Sequence, residues 1–248
     1  MPVILNKRIS QTPLEVVDEY KKMHPKLKNT AIGYAGRLDP MAEGLLMLLI
    51  GDENKDRKKY EELEKKYEFE ILFGVATDSY DLMGMITEST HDLTVTHEQL
   101  KKAMESFVGR RRMPYPPYSS AAVCGKPLYW WTRRGKLREI AIPTKEIEIK
   151  KLEVSEWRNI QLSIVAQTAI ERIEKVSGDF RQKAIVKQWQ IVAKGQSDMP
   201  CRLAKCQVVC SSGTYVRGLV HALGRALLTP ALTYSIRRTR IGMFTDSS

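Results

Sequence analysis

Between Gly33 and Leu46 the chain reads Gly33-Tyr34-Ala35-Gly36-Arg37-Leu38-Asp39-Pro40-Met41-Ala42-Glu43-Gly44-Leu45-Leu46, and Asp39 is the side chain in it best placed to do chemistry. Gly33 and Gly36 let the backbone turn tightly or go left-handed, while Pro40 fixes φ and removes a donor. The outcome is a shaped loop presenting one carboxylate. An ionised carboxylate can attack an electrophilic carbon or accept a proton. Burial works against that ionised form, and an opposite charge within hydrogen-bond reach restores it. Arg37, two residues away, shares a face with Asp39 on an extended stretch and is one candidate for that charge. An ordinary Asx turn or helix cap is the competing reading of Asp39-Pro40.

The elements that position this loop follow from periodicity. Leu45 to Ile50 is an apolar run long enough for a buried strand that anchors the loop against a core. Val3 to Leu5 reads as a short strand, and Thr12-Pro13-Leu14-Glu15 is a capping box that starts a helix ending near Met23. Glu53 to Lys66, rich in Lys and Glu at i,i+4 spacing, predicts a solvated helix. Tyr67 to Gly74 alternates as a strand, with Tyr67 on the face of Phe69, Ile71 and Phe73, so by pattern alone Tyr67 is a core aromatic. Thr96 to Gln99 is a second capping box, opening an amphipathic helix that should end at Gly109 in a left-handed cap. Ile140 to Val154 suits one or two strands, and Cys201 to Cys210 another. Val216, Leu219, Val220 and Leu223 make a helical face, on which Arg217 reads by pattern as a surface residue.

From Arg110 to Lys136 arginines and lysines interleave with aromatics, including Arg111, Arg112, Tyr118 and Lys126. Cations neutralise phosphates while aromatic rings stack on unpaired bases at about 1 to 3 kcal/mol each. This predicts an RNA-gripping surface; a proline-rich loop beside a Trp-capped helix is the plain alternative. A net charge of +11 over 248 residues points the same way, although anionic membranes or acidic proteins also fit. No apolar stretch is long enough to span a membrane, and Pro2 to Gln11 has no signal-peptide character, so a cytoplasmic location is expected. Cys124, Cys201, Cys206 and Cys210 form no Cys-x-x-Cys pair, and the four histidines stand apart, which argues for buried reduced thiols and against a metal site.

The Gly33 to Leu46 segment resembles the Gly-x-x-Gly-x-Leu-Asp-Pro-x-Ala-x-Gly-x-Leu motif of the TruB family of tRNA pseudouridine synthases. Further segments match in order: Lys66-Tyr67 with Gly74-x-x-Thr77-Asp78-Ser79-Tyr80-Asp81-x-x-Gly84, Gly213-Thr214-Tyr215-Val216-Arg217, and Tyr234 to Phe244. The resemblance implies an α+β pseudouridine synthase catalytic fold: a mostly antiparallel mixed sheet flanked by helices, with a central RNA cleft. It implies that Asp39 is catalytic, that Tyr67 stacks on the flipped uracil and assists later proton transfer, and that Arg217 pairs with Asp39. Ile236 would pack against the target base, Arg37 would touch phosphate, and Tyr34, standing where the family usually has histidine, would stack on RNA. Lys7 remains from a Lys-Pro-x-Gly element in which Arg8 and Ser10 replace the proline and first glycine. With Tyr215 and the cations and tyrosine of the Arg110 to Lys136 stretch, Lys7 completes the expected RNA-binding set.

The resemblance also implies one catalytic domain over residues 1–248, with a thumb-like RNA-binding insertion at about 110–142 that is mobile without RNA, and no C-terminal PUA domain. Residues 162–198 depart from the pattern as an unusual insertion of helical spacing. The expected partner is tRNA through its T arm, or another structured RNA, bound by a monomer with no cofactor, metal or membrane. A non-catalytic RNA-binding or RNA-folding protein on the same fold is the alternative, as is a synthase for another RNA, with a guide-RNA assembly among the options.

Overall fold

Alternating and apolar stretches become strands in the computed structural model, which describes residues 2–195 and 199–246. The first half of the chain contains β1 (Val3–Lys7), α1 (Pro13–Met23), β2 (Ile32–Ala35), β3 (Ala42–Ile50), α2 (Arg57–Glu61), β4 (Lys65–Phe73), β5 (Val75–Thr77), β6 (Ile86–Ser89) and α3 (His97–Phe107). Then come β7 (Gly109–Pro114), β8 (Ala122–Val123), β9 (Lys126–Pro127), α4 (Leu128–Arg133) and the long β10 (Thr144–Gln161). The last part contains α5 (Leu162–Glu174), α6 (Gln182–Gly195), β11 (Pro200–Cys210), α7 (Val216–Ala226), β12 (Ala231–Ile241) and β13 (Phe244–Thr245). No described helix is long and apolar enough to cross a membrane.

Nine strands form one sheet in the order β1-β3-β12-β4-β11-β10-β7, with β2 added to β3 and β13 to β12. Every junction is antiparallel except β3 with β12, which is parallel and sets Ile236 opposite Ala42 and Arg238 opposite Gly44. The α+β, mostly antiparallel mixed sheet expected from the resemblance is therefore present. One face buries Phe69, Ile71 and Phe73 under Leu100 and Met104 of α3 and Val216, Leu219, Val220 and Leu223 of α7. A second core gathers Leu72, Val75 and Leu82 beneath α5 and α6, and a third packs Val16, Val17 and Tyr20 of α1 on Leu46 and Leu48.

Both capping boxes form. The Thr12 hydroxyl accepts from Glu15 N at 3.2 Å and Glu15 accepts from Thr12 N at 2.7 Å; Thr96 and Gln99 repeat the exchange at 3.2 and 2.9 Å, each cap contributing about 1 kcal/mol.

Two expectations need correction. The charged helix over Glu53 to Lys66 is reduced to a 3-10 turn (Gly51–Asp56) and the five-residue α2, because Lys65 already belongs to β4, buried opposite Cys210. Its amine is satisfied by the carbonyls of Glu61 and Leu63. Gly109 does not cap α3: Val108 is already extended, and Gly109, at φ 106°, opens β7. Of the one or two strands expected over Ile140 to Val154 there is one, β10, which starts at Thr144 and runs on to Gln161, its 18 residues accommodated by irregular pairing with β11 between Ile149 and Lys151 and again between Val154 and Glu156.

Gly44 is where the parallel junction demands glycine. Its φ is 99°, and a Cβ there would sit 2.3 Å from the Arg238 carbonyl oxygen. Gly44→Ala should destabilise the fold by at least about 2 kcal/mol, read as a drop in the urea midpoint with an unchanged slope.

Candidate active site

The loop after β2 runs from Gly36 to Met41 and enters β3 at the floor of a cleft of about 1160 Å³. Arg217, the second residue of α7, points into the same floor with its side chain 3% exposed, and its Nε donates to Asp39 Oδ2 at 2.7 Å. The rest of the guanidinium is also met: Nη1 donates to the Ser79 carbonyl at 2.6 Å and Nη2 to that of Tyr118 at 3.3 Å. Asp81 Oδ2 lies 3.6 Å from Nε, while its Oδ1 accepts from the Ser79 hydroxyl at 2.6 Å and Met83 N at 2.9 Å. Burial works against the charge on Arg217, and the carboxylates of Asp39 and Asp81 overcome it, so its pKa is held above the ordinary arginine value. Burial pushes the Asp81 carboxyl up, against the pull of Arg217. Both acids line the cleft, but the Asp81 side chain is only 5% exposed, whereas that of Asp39 is 30% exposed.

Sheet register brings the remaining walls to this floor. Tyr67 of β4 and Ile236 and Arg238 of β12 line the cleft, with Arg238 directly opposite Tyr67 and Ile236 opposite Ala42. Tyr67 is 8% exposed; burial raises its pKa and the nearby Arg238 charge opposes the rise. Arg238 ties the junction together, its Nε donating to the Leu45 carbonyl at 2.7 Å and its Nη2 to that of Gly36 at 3.0 Å. Tyr215 lines the cleft against Tyr115, ring centroids 5.5 Å apart, with its hydroxyl pushed up to about 12 chiefly by burial. Tyr34 also faces the cleft, flanked by the Arg37 and Arg57 guanidiniums at 6.0 and 5.9 Å from its ring centroid. Arg37 is thus directed to Tyr34 and solvent, and Arg217 is the guanidinium that meets Asp39.

Four expected RNA-binding residues lie elsewhere. Lys7 has no exposure; its amine donates to the carbonyls of Gln11 at 2.6 Å, Arg8 at 2.9 Å and Pro40 at 3.4 Å, and so braces the Asp39 loop from behind. Arg111 and Arg112 sit in β7, paired with β10 at the sheet edge, and outside the cleft. The Arg111 guanidinium stacks 4.0 Å from the Phe107 ring and donates to the Ser106 carbonyl, whereas Arg112 is exposed. Lys126, in the β8–β9 hairpin, approaches Trp130 and is also outside. Tyr118 does face the cleft, as do Tyr129 and Arg133 of α4. Cys124 is exposed in that hairpin, unlike the other three cysteines. Among the described residues no three His, Cys, Asp or Glu side chains converge as a metal site.

Periodicity missed Asp81, Arg238 and, between them in the chain, Arg181. Arg181 bonds both oxygens of Asp78, at 2.8 and 3.1 Å, and lies 4.3 Å over the Tyr118 ring. The spacing of Asp78 and Asp81 inside a polar turn was the available signal for the first of these. Nothing in the pattern around Arg181 marked it.

The chain matches the model of the TruB family pseudouridylate synthase N-terminal domain over residues 23–171. It is 29% identical over 237 residues to "tRNA pseudouridine synthase B" of Nitratidesulfovibrio vulgaris, covering 95% of this chain and 61% of that protein. Against the protein of the same description from Lactobacillus delbrueckii subsp. bulgaricus, identity is 31% over 238 residues, 96% of this chain and 66% of the relative. The chain therefore spans about three fifths to two thirds of the length of these curated relatives. Among solved structures it is similar in fold to a chain of a Cbf5-Nop10-Gar1 complex, with a TM-score of 0.59 and 19% identity over 99% of this chain and 50% of that one.

The Lys7 amine offers a test of the brace behind the loop. Burial lowers its pKa from 10.5 to about 8 in the folded state. Between those values the unfolded chain binds the proton that the folded chain has released, so stability attributable to Lys7 rises with pH. Unfolding free energies of the parent and Lys7→Met should diverge in the parent's favour from pH 8 upward, and a gap constant to pH 10 would contradict this assignment.

Proposed function

The chain belongs to the TruB family of pseudouridylate synthases, and from that premise we propose that it isomerises uridine to pseudouridine in tRNA, at the T-loop uridine of position 55. It acts as a monomer in the cytoplasm, with the T arm as the contacted element. The reaction breaks the bond from N1 of the base to the sugar, turns the base and rejoins it through C5, with a proton lost at C5 and one gained at N1. Atoms and electrons balance within the substrate.

The observation that carries this reading is the 2.7 Å contact of Arg217 with Asp39 at a cleft floor. One oxygen of Asp39 is engaged, while the carboxylate keeps access to the cleft. That suits either attack on the sugar or abstraction of a proton that starts elimination. The target base leaves its stack at a cost of a few kcal/mol, and its replacement contacts are Tyr67, as the stacking ring, and Ile236. Arg217 orients Asp39 by holding one of its carboxylate oxygens, a role that a guanidinium always charged and bound at every edge can hold throughout turnover. Tyr34, Arg37, Tyr118 and Tyr215 meet the flanking nucleotides, and the segment at about 110–142 is the thumb that grips the arm from its cleft-facing side. Arg111, Arg112 and Lys126 of this segment meet RNA phosphates outside the cleft.

Incubation with T-arm RNA followed by nucleoside analysis tests the activity directly. Asp39→Ala should lower single-turnover conversion by roughly a thousandfold or more with RNA affinity nearly unchanged. Parent protein that binds this RNA tightly yet makes no pseudouridine would leave a non-catalytic RNA binder, and conversion confined to other transcripts would move the substrate. Arg217→Lys keeps the charge but loses the fork, and should lower conversion about a hundredfold; near-parental turnover would remove Arg217 from the machinery.

A further inference from the structure

The two-helix insert between β10 and β11 does not hang free of the sheet. α5 buries Leu162, Val165, Ala166, Ala169 and Ile173, and α6 buries Ile185 and Trp189, against Leu72, Val75 and Leu82. The Trp189 indole donates to the Leu82 carbonyl at 3.1 Å. The Gln188 amide exchanges two hydrogen bonds with the backbone of Ile86, accepting at 2.8 Å and donating at 3.0 Å. The turn joining α5 to α6 is therefore fixed at the rim of the cleft, where Ser177 to Arg181 form part of its wall. Residues 196–198 of the expected insertion lie outside the described residues.

Within this turn Arg181 has φ 65°, a left-handed conformation that non-glycine residues seldom adopt. The Gln182 amide holds the turn by donating to the carbonyls of Val176 at 2.9 Å and Gly178 at 2.7 Å. So aimed, the Arg181 guanidinium grips both oxygens of Asp78 and covers the Tyr118 ring, while the Tyr118 hydroxyl donates to Asp78 Oδ2 at 3.1 Å. The two carbonyls that receive the Nη groups of Arg217 belong to Ser79, the neighbour of Asp78, and to Tyr118 itself. A second tie, Arg133 of α4 to Asp179 at 2.5 Å, joins the same turn to the 110–142 segment, but with Asp179 77% exposed it is the weaker of the two.

We infer that Arg181 is a positioning residue for Arg217: by clamping Asp78 and Tyr118 it fixes the Ser79 and Tyr118 carbonyls that set the guanidinium facing Asp39. The insert thus serves the chemical step, and the aromatic wall of the cleft is held in place before RNA arrives. This rests on the pseudouridine synthase reading for its kinetic consequence, though not for its structural one. A reactive constellation displaced by a fraction of an ångström loses rate without losing substrate affinity.

Arg181→Ala and Arg181→Lys test it by two readouts. In single-turnover assays at saturating T-arm RNA, Arg181→Ala should lower the rate constant about tenfold or more, with Kd within about threefold of the parent. Arg181→Lys, which loses the fork and the ring stack but keeps one ion pair, should fall between. The second readout needs no activity: the Nε–H of Arg217, assigned in nitrogen-15 spectra by its disappearance in Arg217→Lys, should exchange with solvent at least about tenfold faster in Arg181→Ala. An unchanged rate constant together with unchanged exchange overturns the inference. So does a loss confined to Kd, which would make Arg181 an RNA contact. Parent protein that forms no pseudouridine while its Arg217 exchange responds to Arg181 would sink the functional reading and leave the positioning role standing.

Discussion

A guanidinium withdrawn from water must be met on every edge, and the way Arg217 is met organises the centre of this molecule. Removing one partner of such a group commonly costs about 3 to 5 kcal/mol, because the charge that remains is still buried. Three distant stretches converge on the first turn of α7 to prevent that: the Asp39 loop, the Ser79 to Asp81 turn and Tyr118. The same convergence divides the labour of two acids. Asp81 is buried and completes the neutralisation, while Asp39 keeps an open edge toward the cleft.

The strand order places the walls of the site as economically as the ion pair places its floor. β12 lies between β3 and β4, so one strand sets Ile236 beside the loop that carries Asp39 and Arg238 beside Tyr67. Arg238 then closes the junction through the carbonyls of Leu45 and Gly36. Two buried arginines thereby perform distinct tasks a short way apart: one holds a carboxylate, the other holds the backbone that leads to it.

Much of this was legible in the residues, for reasons that separate cleanly. Local rules found α1 and α3, whose capping boxes and apolar spacing need nothing from the rest of the chain. They overextended the charged helix before β4, because the pairing of Lys65 with Cys210 is a property of the sheet and not of the Lys and Glu run. Resemblance rather than periodicity singled out Arg217, which pattern alone left on the surface, since helical spacing cannot tell which neighbour a first turn will face. The insert shows the limit of both. Its apolar spacing announced helices, yet the value of Arg181 lies in an angle of the backbone and in partners about a hundred residues away. The basic stretch was likewise read by composition, which registers Arg111 and Arg112 as cations but not that they sit in the edge strand β7, outside the cleft lining.

The lone parallel junction has a consequence for the order in which the molecule comes into being. β3 is made early and β12 late, with Asp39 and Arg217 178 positions apart. Until the later strand emerges, the start of the flank of β3 that it pairs, Ala42 to Gly44, stays unpaired, although β2 already covers Met47 to Ile50, and such an edge is a template to which other extended chains can adhere. Such nonlocal pairing is also slow to form. In a nascent polypeptide Asp39 therefore stands without its guanidinium, and the pair is made only as the sheet closes.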